Sequence, residues 1–130
     1  MTRRGAERGF LSLFLRYWLP VLAYITAIVT VSAQPYLRGP IEFTNSDKIY
    51  HVLEYSILGL LLARAMRGSA PGWPPMAVAL SAIACGILVG TSDEFFQSFV
   101  PGRISSGFDL LADTVGVALA QVVYRALVKD

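Results

Sequence analysis

Asp47, His51 and Glu54 recur at i, i+4 and i+7, so they share one face of a helix. Asp109, Asp113 and Gly116 repeat that spacing further on. Between them, Gly86, Gly90, Asp93 or Glu94, and Gln97 line a third face. Carboxylates beside an imidazole suit a divalent cation. Oxygen-rich sets favour Mg²⁺, Ca²⁺ or Mn²⁺, and a His ligand admits Zn²⁺. The candidate metal ligands are Asp47, His51, Glu94 and Asp109, although their spacing matches no diagnostic ligand motif. His51, Glu54, Glu94 and Asp113 are the candidates for proton transfer and catalysis. A second chemistry is phosphate recognition. Arg103, Ser105, Ser106 and the free N–H groups of a helix starting there would form an anion pocket. Lys48, Tyr55 and Gln97 flank these positions as further binding candidates. A metal bridging the acids and a phosphate would unite the two chemistries.

Plainer roles compete for several of these residues. Ser106-x-x-Asp109 reads as a capping box, and Thr44-x-x-Asp47 allows the same reading. Arg103 suits an interfacial anchor, Asp93 a solvated helix end, and Gln97 a polar link between helices. A lone histidine is commonly a packed, hydrogen-bonded residue, but His51 shares its face with two acids. Glu54 and Asp113 are the hardest to explain away, because both lie inside apolar helical sequence, where an ionisable group is costly. Tyr50, Phe95, Phe96 and Phe99 read as interfacial aromatics or packing.

The elements that must carry these residues are membrane helices. Of 130 residues, 55% are hydrophobic and 15% charged, and the mean hydropathy is +0.55, too apolar for an ordinary soluble domain. A bilayer core takes about 20 apolar residues per helix, and four segments qualify, at about residues 14–34, 47–67, 75–99 and 106–128. Pro75 suits the first position of the third, and Pro20 is placed in the first turn of the first, whose apolar run spans about Tyr17 to Ala33. Pro101-Gly102 marks a tight turn between the third and fourth, making them antiparallel neighbours. Gly86-x-x-x-Gly90 would let a neighbour approach closely and so points that face into the bundle.

The first segment also admits a signal-peptide reading, with Arg3, Arg4 and Arg8 as the basic region and Val31-Ser32-Ala33 as the cleavage site. Its apolar run is longer than the usual h-region and opens with the interfacial pair Tyr17-Trp18, so a retained helix is expected. With the N-terminus inside, Arg3, Arg4, Arg8, Arg16, Arg64, Arg67, Arg125 and Lys129 are cytoplasmic, against Arg38, Lys48 and Arg103 outside. That asymmetry predicts both termini in the cytoplasm, and the acids Glu42, Asp47, Glu54, Asp93, Glu94, Asp109 and Asp113 then fall on the extracytoplasmic half, with only Glu7 and Asp130 inside. The single Cys85, in an apolar run, excludes an internal disulfide. There is no P-loop, nucleophile elbow, CxxC or dinucleotide fingerprint, no internal repeat, and too few basic residues for nucleic-acid binding.

Taken together, the motifs resemble the VanZ-like family of small bacterial membrane proteins, over about residues 14–128. The family pattern reads roughly D-K-x-x-H-x-x-x-Y, then E-x-x-Q-x-x-x-P-x-R, then D-x-x-x-N-x-x-G. Asp47, Lys48, His51 and Tyr55 match the first part, Glu94, Gln97, Pro101 and Arg103 the second, and Asp109 and Gly116 the third. Asp113 stands where the family often has Asn, which keeps an acceptor and adds a charge. The resemblance implies a multi-pass protein of the bacterial cytoplasmic membrane and an influence on teicoplanin susceptibility, a property associated with the name-giving member.

The expected protein is therefore an all-α, four-helix transmembrane bundle. Its polar site would bind or act on a phospholipid headgroup or a lipid-linked, phosphorylated envelope component, with a divalent metal as its one cofactor. The alternatives are a non-enzymatic binder of lipids or envelope precursors, or a small transporter whose polar cluster is structural or relays protons.

Overall fold

The computed structural model describes residues 9–36, 39, 41 and 43–128. Most of the basic residues used for the orientation argument near the termini, Arg3, Arg4, Arg8 and Lys129, and also Arg38, lie outside them. Four helices are each long and apolar enough to cross a membrane: α1 (Gly9–Ser32), α2 (Ser46–Ser69), α3 (Pro75–Gln97) and α4 (Gly107–Leu127). No strand occurs among the described residues. Consecutive helices run antiparallel, so the end of α1, the start of α2, the end of α3 and the start of α4 meet at one end of the bundle.

Helix α1 begins earlier than the hydropathy suggests, which puts Pro20 in its interior rather than its first turn. The backbone adjusts just before the proline, where Phe14–Trp18 winds as a π-turn. Pro20 has no N–H to offer the Arg16 carbonyl one turn back. The Arg64 guanidinium donates to that carbonyl from α2, at 3.0 Å. The same guanidinium stacks on the Tyr17 ring, 5.1 Å from its centre.

The other helix ends follow from local chemistry. Asn45, in the left-handed region at φ 63°, precedes α2 and makes no side-chain cap bond, so the Thr44-to-Asp47 capping box does not form. Pro74 and Pro75 open α3, where a missing N–H costs nothing. After α3, Arg103 N–H donates to the Val100 carbonyl (3.1 Å), and Gly102 at φ 78° follows Pro101, as a type II turn requires.

The tightest contacts run between α2 and α4. A Cβ on Gly59 would lie 2.9 Å from Val117 Cα and 2.7 Å from Ala120 Cβ. One on Gly116 would collide with the Val52 carbonyl. With no side chain between them, the two backbones touch, and Gln121 Nε2 donates to Gly59 O at 3.1 Å across the contact. Gly86 and Gly90 face α4 in the same way, against Val117 and Asp113, so that face does point inward. Tyr55, Leu58, Leu62, Val78, Ala82 and Val117 form the dry centre. Large apolar residues such as Leu80, Leu88, Leu111 and Val122 point outward from the bundle, as lipid-facing positions should.

Candidate functional site at one end of the bundle

Four helix ends bring polar side chains together. Helix α2 supplies Lys48, His51 and Glu54, α3 supplies Asp93, Glu94 and Gln97, and α4 supplies Asp109 and Asp113. Helix α1 adds Ser32 from its last turn. Asp93, Glu94, Asp109 and Asp113 are all buried, with relative exposures of 2, 7, 4 and 0%. Four buried acids at one level, against Lys48, Arg103 and His51, make an acid-rich interior.

The ring of His51 sits between two carboxylates of α4. Its Nδ1 lies 2.8 Å from Asp113 Oδ1, and its Nε2 lies 4.0 Å from Asp109 Oδ1. In the tautomer that donates from Nδ1 to Asp113, Nε2 keeps its lone pair free for a ligand. This is how a carboxylate commonly orients a metal-binding histidine. One ligand atom each from His51, Glu94 and Asp109 lies within 4.8 Å of the others. Two ligands on one divalent ion stand up to roughly 4–5 Å apart, so the three atoms are spaced for a shared cation.

Glu94 also holds the start of α4. Its Oε2 accepts from Ser105 Oγ and from the Ser106 N–H, both at 3.0 Å. Ser106 Oγ in turn accepts from Phe108 N–H at 3.1 Å. The predicted capping box therefore forms with a different partner. The acid that returns to the cap N–H is Glu94 of α3, while Asp109 turns to Lys48, which binds it directly and also binds Asp47 at 2.6 Å. The groups read as a phosphate pocket, Ser105, Ser106 and the helix start, thus already hold an anion, the carboxylate of Glu94.

A second network adjoins the first. Asp93 Oδ2 accepts from Ser32 Oγ (2.8 Å) and Gln97 Nε2 (2.7 Å). Gln97 Oε1 accepts from the Arg103 guanidinium at 3.2 Å. Asp93 is therefore an interior residue and not a solvated end. Four buried oxygens lack a partner among the described residues: Tyr55 Oη, Asp93 Oδ1, Glu94 Oε1 and Asp113 Oδ2. Orphaned buried acceptors are rare in a finished structure.

The candidates divide accordingly. His51, Glu94, Asp109 and Asp113 come together, with Lys48, Gln97 and Arg103 around them. Tyr55, on the flank of the stripe, is fully buried. Glu54 is half-buried, within electrostatic reach of His51, Asp93, Asp113 and Arg103, and its carboxylate makes no hydrogen bond among the described residues. Asp47 is exposed and stands apart from the three-residue cluster, bound to Lys48. Ser32 was legible only as part of a cleavage-site pattern. In the fold it is a buried helix residue, and a single serine in an apolar run gives no periodic signal to find it by.

A sequence model of the family described as VanZ/LLP1 matches residues 8–128. An uncharacterized protein of Schizosaccharomyces pombe is 28% identical over 100 residues, covering 77% of this chain. The chain spans 59% of that relative's length. No solved structure matches it.

Proposed function

Starting from the fact that this chain belongs to the VanZ/LLP1 family, we propose that it is a multi-pass membrane protein whose acidic end binds a divalent cation through His51, Glu94 and Asp109. Through that cation it engages a phosphorylated or lipid-linked component of the cell envelope. The observation that supports this reading is the convergence of one imidazole and two carboxylates within 4.8 Å, where buried carboxylate oxygens still lack partners. Two carboxylates and an imidazole suit Mn²⁺, Zn²⁺ or Mg²⁺. An ion there would compensate charges that are expensive to hold at the edge of a bilayer.

The chain's own residues have separable roles in this reading. Asp113 orients His51. Ser105 and the Ser106 N–H fix one Glu94 oxygen, which leaves the other for the ligand. Arg103, held beside the site by Gln97, meets the phosphate of the incoming headgroup. Glu54 is the group left to move a proton. The site faces the extracytoplasmic side of a bacterial cytoplasmic membrane, and occupancy by envelope precursors alters teicoplanin susceptibility.

Metal-stripped protein in detergent, titrated with Mn²⁺ by calorimetry, is the first test. One ion per chain is expected, with affinity reduced at least about tenfold in Glu94→Gln, Asp109→Asn and His51→Ala. Binding that survives all three substitutions rejects the site. Mass spectrometry of co-purified lipids and glycopeptide susceptibility of expressing cells then test the ligand. Unchanged lipid content and unchanged susceptibility in the three variants would reject the envelope role while leaving metal binding intact. A purely structural cluster has the Ser32–Asp93–Gln97–Arg103 chain of hydrogen bonds in its favour, and loss of folded protein in every variant would select it.

A further inference from the structure

Lys48 stands between two acids of unequal depth. Its ammonium binds Asp47 Oδ2 at 2.6 Å and Asp109 Oδ1 directly. The Asp47 side chain is 62% exposed and that of Asp109 6%, so one partner faces outward and the other inward. The inward partner is the contested one. Asp109 Oδ1 also faces His51 Nε2, at 4.0 Å, and Asp109 is one of the three residues whose ligand atoms lie within 4.8 Å of one another. Glu94 belongs to the same cluster, and its buried Oε1 has no partner among the described residues. One carboxylate of the cluster is thus neutralised by a tethered cation, while the other keeps an oxygen to spare. An ammonium is a compact charge on a flexible four-carbon stem, so it can leave one acid for the other without a shift of its helix.

We propose that Lys48 is a built-in competitor that regulates the cation site, an inference that rests on the divalent site proposed above. A divalent ion entering between His51, Glu94 and Asp109 claims the carboxylate that Lys48 holds. Like charges so close repel, and the ion carries twice the charge of the ammonium. The ammonium gives up Asp109 and keeps Asp47 at the rim. There it is available, with Arg103, to a phosphate. Two consequences follow from this exchange. The site selects for charge, because a monovalent ion gains little electrostatic advantage over the ammonium that it must displace. The two binding events are also coupled, since an anionic ligand finds Lys48 released only once the ion is in place.

The chain has two lysines, Lys48 and Lys129, so each amine can be followed separately. The probe is Mn²⁺, added to metal-stripped full-length protein in detergent. An amine-selective acetylating reagent is then applied, and the modification rate at each lysine is read by mass spectrometry. Mn²⁺ should speed acetylation of Lys48 at least about threefold, the weight of one partly exposed ion pair, and leave Lys129 unchanged. Asp109→Asn, with its fold checked by gel filtration, should make Lys48 fast without metal and indifferent to it. Glu94→Gln removes a ligand of the ion but no partner of Lys48, so there Mn²⁺ should have no effect. An equal acceleration in Glu94→Gln would mean diffuse screening by the salt and would overturn the proposal. A Lys48 rate that stays constant or falls, while calorimetry on the same sample shows one bound Mn²⁺, would overturn the exchange and leave the cation site standing. Absence of Mn²⁺ binding in that calorimetry would overturn both.

Discussion

Replacing Asp113 by Asn and by Leu separates two things the aspartate does. Asp113 is fully buried, with one oxygen 2.8 Å from His51 Nδ1 and the other without a partner among the described residues. Asn keeps the acceptor facing His51, removes a buried charge and gives the orphaned position a donor. Leu keeps the volume, deletes the acceptor and leaves the imidazole N–H buried without a partner. A hydrogen bond to a charged group contributes about 1.5–3 kcal/mol in a soluble protein. Interhelical bonds in membranes measure lower, about 0.6 kcal/mol on average and up to about 1.7. Because both partners here are shielded, a gap of about 1–2 kcal/mol between the variants is expected, a factor of about 5–30 in the folding equilibrium. Asn itself should fall within about 1 kcal/mol of the parent, since it trades a charge-assisted bond for relief of an uncompensated charge. The assay is unfolding by sodium dodecyl sulfate in mixed micelles, followed by circular dichroism. If Leu is as stable as Asn, the His51–Asp113 contact does not tie α2 to α4, and the orientation assigned to His51 loses its support.

Three further outcomes are expected. Gly59→Val places side-chain atoms where α4 backbone already lies 2.9 Å from a Cβ, so the folded fraction in the same titration should fall by about 1–3 kcal/mol or more; Gly72→Ala, with nothing within 4 Å of its Cβ, should be neutral. Gln97→Leu deletes the group between Asp93 and Arg103 and should destabilise by about 1–3 kcal/mol, whereas Gln97→Glu, by adding an acid beside Asp93, should cost at least as much by the same measurement. Lys48→Met removes the ammonium competing for Asp109, so calorimetry should show tighter Mn²⁺ binding; weaker binding would mean that Lys48 builds the site instead of contesting it.

The helical layout was open to reading because hydropathy and the i, i+4, i+7 stripes are local properties. His51 with Asp113 and Gly86 with Gly90 fall where their spacing directs them. What the sequence hid depends on pairing across helices. Asp93 and Glu94 appeared as alternatives, yet both are buried, because α1 and α4 approach the end of α3 from different sides and each takes one of them. Ser106 announced a capping box, but the acid completing it comes from α3, since Asp109 is drawn to Lys48. Asp47 shares the stripe of His51 but lies one turn higher, beyond the reach of α4 and in contact with solvent. Pro20 was misplaced for a related reason. The cost of a proline within a helix is set by who satisfies the freed carbonyl, and here Arg64, from another helix, does so.

The Ser106 N–H bound to Glu94 Oε2 makes the two ends of the α3–α4 turn report on each other. Any ligand that draws the Glu94 carboxylate away releases that amide, and α4 then begins without its reciprocal cap. The amide's exchange rate with deuterated solvent becomes a gauge of occupancy: slow while Glu94 stays on the helix start, faster when the carboxylate leaves it, and slower still if the ligand fixes Glu94 in place.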